Sequence, residues 1–236
     1  MFRFKQFEVS HSRSAMRLGI DAVILGSWTN LKDCCKIIDV GTGCGVIALM
    51  CAQRNQYAQI SAIDIDRESV EESIFNFQTS PWSDRLICRH EDFNTTCTKK
   101  EKFDLIISNP PYFNSGIIHP ETAREKARHQ SDLSPFTLME NGTKILNRNG
   151  RIAMIFPIAM LDDICRRGKK LGLSVLRVLK IKGRRDLPFK RAAIELGLND
   201  YYNDTPYTQE TLIIDERPGE ASPEFKKLCR DFYLKF

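Results

Sequence analysis

Along the middle of the chain, short β-rich apolar runs alternate with segments of helical spacing. KIIDV (36–40) is a β-branched run that ends in a glycine turn. GVIALMCAQR (45–54) follows it and is apolar nearly all round, which predicts a buried helix. QISAID (59–64) predicts a second strand, after which Asp66 caps a helix over 67–79. RLICRH (85–90) and FDLIIS (103–108) read as a third and a fourth strand. Ser134-Pro135 is a helix start, with serine as cap and proline in the first turn. Phe136, Met139 and Leu146 recur at helical spacing, and Gly150 is expected to end that helix. RIAMIFP (151–157) predicts a fifth strand, followed by a helix near 158–171. LSVLRVLKI (173–181) and AAIELGL (192–198) read as the last two strands, in a hairpin. ETLIID (210–215) is a final strand candidate, and SPEFKKLCRDFYLKF reads as a closing helix.

This alternation is the signature of a parallel sheet covered by helices. The 236 residues suit one α/β domain, with residues 1–35 as an extension too short for a core of its own. No apolar run approaches the roughly 20 residues that span a bilayer. The start, MFRFKQFEVS, alternates phenylalanine with polar residues and lacks the apolar core of a signal peptide. Eight cysteines without a CxxC pair read as free thiols, and the expected compartment is the cytoplasm. The four histidines share no helical spacing, so no metal site is expected.

The candidate chemistry begins where the first strand ends, at Asp39-Val-Gly41-Thr-Gly43-Cys-Gly45. Glycines between a strand and a helix let the backbone turn tightly and let a ligand approach it. Dinucleotide sites favour GxGxxG, with pyrophosphate on the helix N-terminus. Here the third glycine comes one residue early, and Asp39 would repel a pyrophosphate. A ligand carrying an ammonium and a sulfonium, S-adenosylmethionine, suits this turn better. Asp64, about 20 positions on, is placed to accept hydrogen bonds from ribose hydroxyls. Asp92-Phe93, after the third strand, is a candidate for the cofactor's adenine.

The fourth strand runs into Asn109-Pro110-Pro111-Tyr112. Asn109 and Pro110 each precede a proline and are biased towards extended backbone. An exocyclic amino group on a base is a poor nucleophile, because its lone pair is delocalised into the ring. Two acceptors, the Asn109 side-chain oxygen and the Pro110 carbonyl, can draw on its two hydrogens and favour the charge that develops on methyl transfer. Tyr112 offers a face for a base to stack on.

Net charge is +5, which means little until its placement is considered. Lys180, Lys182, Arg184, Arg185, Lys190 and Arg191 fall within twelve residues that hold one acid, Asp186. Arg124, Lys126 and Arg128 follow soon after the Asn-Pro-Pro-Tyr run. Such clusters grip phosphates, and Arg124, Arg128, Lys182, Arg184, Arg185, Lys190 and Arg191 are the RNA-binding candidates.

DVGTGCG, AIDID, EDF and NPPY, in this order, resemble the Class I methyltransferases of amino groups over about 36–160. Residues 16–28, from Met16 through Gly19 and Asp21 to Trp28, and Ala127–Leu133 resemble the tRNA1(Val) adenine-N6 methyltransferase family, which extends the likeness over nearly the whole chain. The resemblance implies a Rossmann-like fold with a mostly parallel seven-stranded sheet, an antiparallel last strand and helices on both faces. It implies S-adenosylmethionine as cofactor and adenosine 37 of a valine tRNA as target, in a monomer. Gly19 and Asp21 would then lie over the methionine end of the cofactor, Asp39, Gly41 and Gly43 would cradle it, and Asn109 would touch both cofactor and base. The family's usual lysine and threonine are Arg17 and Ile20 here. Alternatives are a glutamine-N5 protein methyltransferase, an rRNA guanine-N2 or DNA adenine-N6 enzyme, a silent RNA-binding module and a nicotinamide dehydrogenase. The short N-terminal extension disfavours the first, the intact Asn109–Tyr112 run the silent module, and Asp39 the last.

Overall fold

The computed structural model describes residues 1–14, 18–111, 133–203 and 205–236. A short hairpin pairs β1 (Phe2–Arg3) with β2 (Glu8–Val9), and α1 (Ile20–Trp28) follows. Alternating strands and helices come next: β3 (Lys36–Val40), α2 (Val46–Arg54), β4 (Gln59–Asp64), α3 (Arg67–Gln78), β5 (Leu86–His90), α4 (Phe93–Thr96) and β6 (Phe103–Ser108). Then come α5 (Pro135–Ile145), β7 (Leu146–Pro157), α6 (Leu161–Lys170), β8 (Leu173–Lys182) and β9 (Phe189–Leu198). The chain closes with α7 (Asn199–Tyr202), β10 (Thr208–Ile213), a two-stranded ribbon of Asp215–Arg217 with Glu220–Ala221, and α8 (Pro223–Cys229).

Among the described residues one sheet holds eight strands in the order β10-β8-β9-β7-β6-β3-β4-β5. β9 runs antiparallel to both of its neighbours, and every other pair is parallel. The seven expected strands are β3 to β9, and the last candidate forms β10 at the outer edge. Strands apolar on both sides need both faces covered, and the side chains divide accordingly. Ile37, Leu105, Ile107, Ala153 and Ile155 enter one core with α1, α2 and α8. Ile38, Val40, Ile106, Ile152, Met154 and Phe156 enter the other, with Leu138, Met139 and Ile145 of α5 and Ile164 of α6. Each of the larger of these buried side chains contributes about 1.5–3 kcal/mol, Ala153 less.

The caps fall where the sequence puts them. Asp66 accepts the Ser69 amide at 2.9 Å and Ser134 the Thr137 amide at 3.1 Å. Gly150 does not end a helix. α5 stops at Ile145, and Gly150 lies inside β7, where the pairing with β6 shifts register. A Cβ there would lie 2.9 Å from the Asn147 and Phe103 carbonyl oxygens, so this glycine allows a close backbone approach within the sheet.

The two ends of the chain pack together. The Phe4 ring stacks on Phe7 at 4.7 Å and meets Tyr233 at 5.9 Å, and the Lys5 amide donates to the Phe232 carbonyl at 2.8 Å. The strand order reverses between β3 and β6, and the carboxyl ends of strands at such a reversal are the usual ligand position in these sheets. At that edge the start of α2 abuts α3. Gly45 has φ +81°, and a Cβ on it would lie 2.5 Å from the Phe77 ring and 3.0 Å from Ser73 Oγ. Gly45→Ala is expected to cost roughly 2–4 kcal/mol from left-handed strain and overpacking; a denaturant midpoint unchanged from wild type would contradict this.

Candidate functional site

The glycine turn is held from several sides. Its Gly41 and Thr42 amides donate to the Ile63 carbonyl at 2.9 and 3.1 Å. Gly41 and Gly43 have φ of +67° and +56°, which glycine adopts at little cost. A Cβ on Gly43 would meet no atom of the described residues within 4 Å, so none of them covers the backbone there. On Gly41 a Cβ would lie 2.9 Å from Leu133 Cδ2.

Asp39 is fully buried beneath this turn. Its Oδ2 accepts from Thr42 Oγ1 at 2.6 Å and from the Ala48 amide at 3.2 Å. Its Oδ1 is buried without a partner among the described residues. Burial pushes the carboxyl up to about 7, against the hydrogen bonds from Thr42 and Ala48. Asp64 lies beside it at the end of β4. One oxygen accepts the Gly43 amide at 2.8 Å and the other the Asp66 amide at 2.9 Å. Burial raises this carboxyl as well, and the same two amides oppose the rise.

At the end of β5, Asp92 caps α4 by accepting the Asn94 amide at 2.8 Å, and Phe93 is buried in the core that holds Val40 and Ile63. At the end of β6, Ser108 Oγ donates to the Val40 carbonyl at 2.7 Å, which ties this strand to the one that leads into the glycine turn. The half-buried Asn109 and buried Pro110 follow directly. Asp39, Gly41, Gly43, Asp64, Asp92 and Asn109 therefore share one edge of the sheet. Tyr112, Arg124 and Arg128 lie outside the described residues, as do Met16, Arg17 and 127–132 of the family-like segments.

The N-terminal candidates reach the same edge. Gly19 is exposed and extended at the start of α1. Asp21 pairs with Arg191 at 2.9 Å, so a residue assigned to the cofactor meets one assigned to RNA. Because β9 runs backwards, its first residues face the ends of its neighbours, with Arg191 opposite Pro157 and Phe189 opposite Lys182. The β8–β9 loop is thereby brought to the carboxyl edge with the other candidates. Its cations have local partners. Lys182 Nζ donates to the Arg185 carbonyl at 2.6 Å and lies 5.4 Å from the Phe189 ring centroid. Arg184 pairs with Asp186 at 3.3 Å, and Arg185 with Glu216 and Glu224 at 3.5 and 3.4 Å. Lys190 is exposed. Exposed pairs of this kind contribute about 0–1 kcal/mol and exchange readily for phosphate.

Sequence reasoning missed a polar face on α3. Glu72, Ser73 and Asn76 are buried and reach both the glycine turn and residues 10–14. Burial alone would raise the Glu72 carboxyl, but hydrogen bonds from Ser10, Ser14 and Arg13 outweigh it and hold it down at about 2. Glu72 stands four residues from Asn76, and Ser73 three from Val70 and four from Phe77, so polar and apolar side chains mix on the packed side of the helix, and that mixture was the available signal. Among the described residues no group of three His, Cys, Asp or Glu could hold a metal ion, and no helix is long and apolar enough to cross a membrane.

Comparison with known proteins gives one picture. Residues 21–156 match the family model of the methyltransferase small domain. A tRNA1(Val) (adenine(37)-N6)-methyltransferase of Vibrio vulnificus (strain CMCP6) is 37% identical, covering 99% of this chain and 95% of its own. A protein of the same name from Trichodesmium erythraeum is 36% identical over 100% and 98%. In fold, the chain is similar to a predicted O-methyltransferase from Agrobacterium tumefaciens (TM-score 0.67, 17% identity, 89% of this chain and 96% of that one). It is also similar to a methyltransferase from Pyrococcus furiosus (TM-score 0.57, 20% identity, 81% and 89%).

The Asp39 environment predicts a pH response. With its carboxyl at about 7 in the folded protein and near 3.8 in an open chain, the folded state keeps a proton that the unfolded chain has lost. Stability therefore falls as pH rises through that window, by up to about 1.4 kcal/mol per unit. Asp39→Asn is expected to be more stable than wild type at pH 8, with the gap narrowing by pH 5. Thermal melts at both pH values check this; parallel profiles for the two proteins would remove Asp39 from the pH response.

Proposed function

Since the chain belongs to the methyltransferase small-domain family and, within it, to the tRNA1(Val) (adenine(37)-N6)-methyltransferases, we propose that it transfers a methyl group from S-adenosylmethionine to N6 of adenosine 37 in a valine tRNA. The observation that carries this reading is the place of Asn109-Pro110, at the end of the strand next to the glycine turn. When bound, S-adenosylmethionine supplies a methyl group made electrophilic by its sulfonium.

The residues present fit that cofactor. Asp39 has a buried oxygen without a partner among the described residues, and an ammonium beside it would favour the ionised carboxylate. None of the described residues covers the Gly43 backbone, and Gly41 and Gly43 together would form the cradle. Asp64 has lone pairs left for ribose hydroxyls after accepting two amides. Asp92 would accept from the adenine amino group, with Phe93 against the ring from the core side. Gly19 and Asp21 would lie over the methionine end, which makes residues 1–35 a cover for the cofactor and 36–236 the catalytic part of one unit.

The Asn109 side-chain oxygen and the Pro110 carbonyl accept hydrogen bonds from the two amino hydrogens of the target adenine. They localise its lone pair and favour the positive nitrogen that forms as the methyl arrives. One of these protons then leaves to water. Tyr112 would stack on the base, and the fixed approach supplies most of the remaining acceleration. Lys182, Arg184, Arg185, Lys190 and Arg191, with Arg124 and Arg128, would hold the RNA phosphates. An anticodon loop presents unpaired bases, so extruding one costs less than from a duplex. The reading is of a monomeric enzyme that meets this substrate in the cytoplasm.

Radiolabelled S-adenosylmethionine, with unmodified total tRNA and a release-factor-like protein fraction as parallel acceptors, tests the reading. Label as N6-methyladenosine in a valine tRNA is expected; label in protein alone would replace it with glutamine-N5 methylation. Asn109→Ala is expected to lower transfer at least about a hundredfold with a far smaller loss of cofactor binding by calorimetry, and full activity would sink the mechanism. Reversing charge at both Arg184 and Arg185 is expected to weaken tRNA binding roughly tenfold at physiological salt. Unchanged affinity in a filter-binding titration would take the loop out of the RNA path.

A further inference from the structure

The buried acid on α3 has no part in the chemistry described so far. Glu72 is 2% exposed, and no ion pair to it occurs among the described residues. Its donors come from one short stretch: Ser10 Oγ at 2.8 Å, the Ser12 amide at 2.9 Å, the Arg13 amide at 3.2 Å and the Ser14 amide at 2.8 Å. Burying a carboxylate is costly unless it is fully hydrogen-bonded, and an apolar side chain would pack at this position without that cost. What the charge achieves is to gather three successive amides of an otherwise irregular segment around one point.

The same face of α3 grips the glycine turn. Ser73 Oγ donates to the Gly43 carbonyl at 2.7 Å. Asn76 Nδ2 donates to the Cys44 and Ser10 carbonyls, both at 2.8 Å, while its Oδ1 accepts the Ser10 amide at 2.8 Å. The Gly43 peptide is thus held on both sides, its N–H by Asp64 and its C=O by Ser73. One side chain, Asn76, spans the turn and the N-terminal segment. Beyond Ser14 the chain leads to Gly19 and Asp21, and Asp21 is fixed by Arg191.

We propose that Glu72 is a positioning residue for cofactor capture: together with Ser73 and Asn76 it locks residues 10–14 onto the glycine turn, setting the cradle and the approach of Gly19 and Asp21 without touching the ligand. This rests on the reading of the site as one for S-adenosylmethionine. Glu72 is distinct from Asp39 and Asp64, whose oxygens belong to the turn and to β4.

The test is Glu72→Gln, whose amide nitrogen cannot accept from the amides that the second carboxylate oxygen serves. S-adenosylmethionine binding, measured by calorimetry, is expected to weaken roughly tenfold, as for loss of hydrogen bonds to a charged group. KM for the cofactor should rise with it, while kcat at saturating cofactor and KM for tRNA stay within about twofold. Amide hydrogen exchange at Ser12–Ser14 should quicken in the same variant. Ser10→Ala, which deletes only the hydroxyl contact and leaves α3 intact, is expected to raise the cofactor KM about threefold, and it provides the reading if Glu72→Gln fails to fold. A lower melting temperature with cofactor KM unchanged, well below the melt, would make Glu72 a residue of stability alone and overturn the proposal, as would wild-type affinity in Ser10→Ala where Glu72→Gln does not fold. Wild-type protein that binds no S-adenosylmethionine would instead overturn the cofactor reading, and this proposal with it.

Discussion

A parallel strand buried on both faces has no side chain to spare for chemistry along its length, and this constraint shapes the rest of the molecule. Ile37, Ile38, Ile106, Ile107, Met154 and Ile155 alternate between two apolar cores, so the polar groups of the site gather where strands end. At the carboxyl ends, backbone amides of the following turns point outward and can hold carboxylates or ligands. Asp39, Asp64, Asp92 and Asn109 all stand at such ends. The strand order reverses between β3 and β6, which sets Asp39 and Asn109 on either side of that switch point.

Within that arrangement the acids are satisfied mainly by neutral donors. Asp39 takes a threonine hydroxyl and an amide, Asp64 two amides, and Glu72 the amides and a hydroxyl of residues 10–14. Glu195 differs. It is also buried, and accepts the Asn30 amide at 2.6 Å beside Arg177 at 3.4 Å, away from the carboxyl edge. Fixed dipoles around the site's carboxylates keep their geometry when salt changes, whereas charged partners would be screened. The cations of the β8–β9 loop are left with exposed, exchangeable partners instead.

Much of this was legible in the residues. The strands, the capping roles of Asp66 and Ser134, the glycine turn and the Asn-Pro run could be read because each is a local signal: a period, a cap or a pre-proline bias. Gly150 was misread because a glycine after a helical pattern looks the same whether it ends a helix or admits a neighbouring carbonyl, and only the pairing with Phe103 decides. Glu72 was passed over because a charged residue on a helix is ordinarily solvated, and the segment that buries it comes from about sixty residues earlier. Arg191 and Asp21 were each legible as charged candidates, but their pairing depends on β9 running backwards, which no local pattern encodes. The aspartate of the first strand was read as facing a ligand. In the structure one of its oxygens is spent on folding the turn itself.

The packing of Phe4 and Lys5 against Phe232 bears on the order of assembly. Chains are made from the N-terminus, yet the Phe4 ring and the Lys5 amide find partners among the last dozen residues, at Phe232 and Tyr233. The central pairing of β3 with β6 also joins positions far apart, Ile37 with Leu105. Contacts of such long range close late and slowly. Phe7 and Ser10–Ser14 meet Trp82 and α3, which are made early, whereas Phe4 and Lys5 must wait for residues made last. A nascent chain can therefore hold residues 10–14 on α3 before the aromatic cluster that joins its two ends is complete.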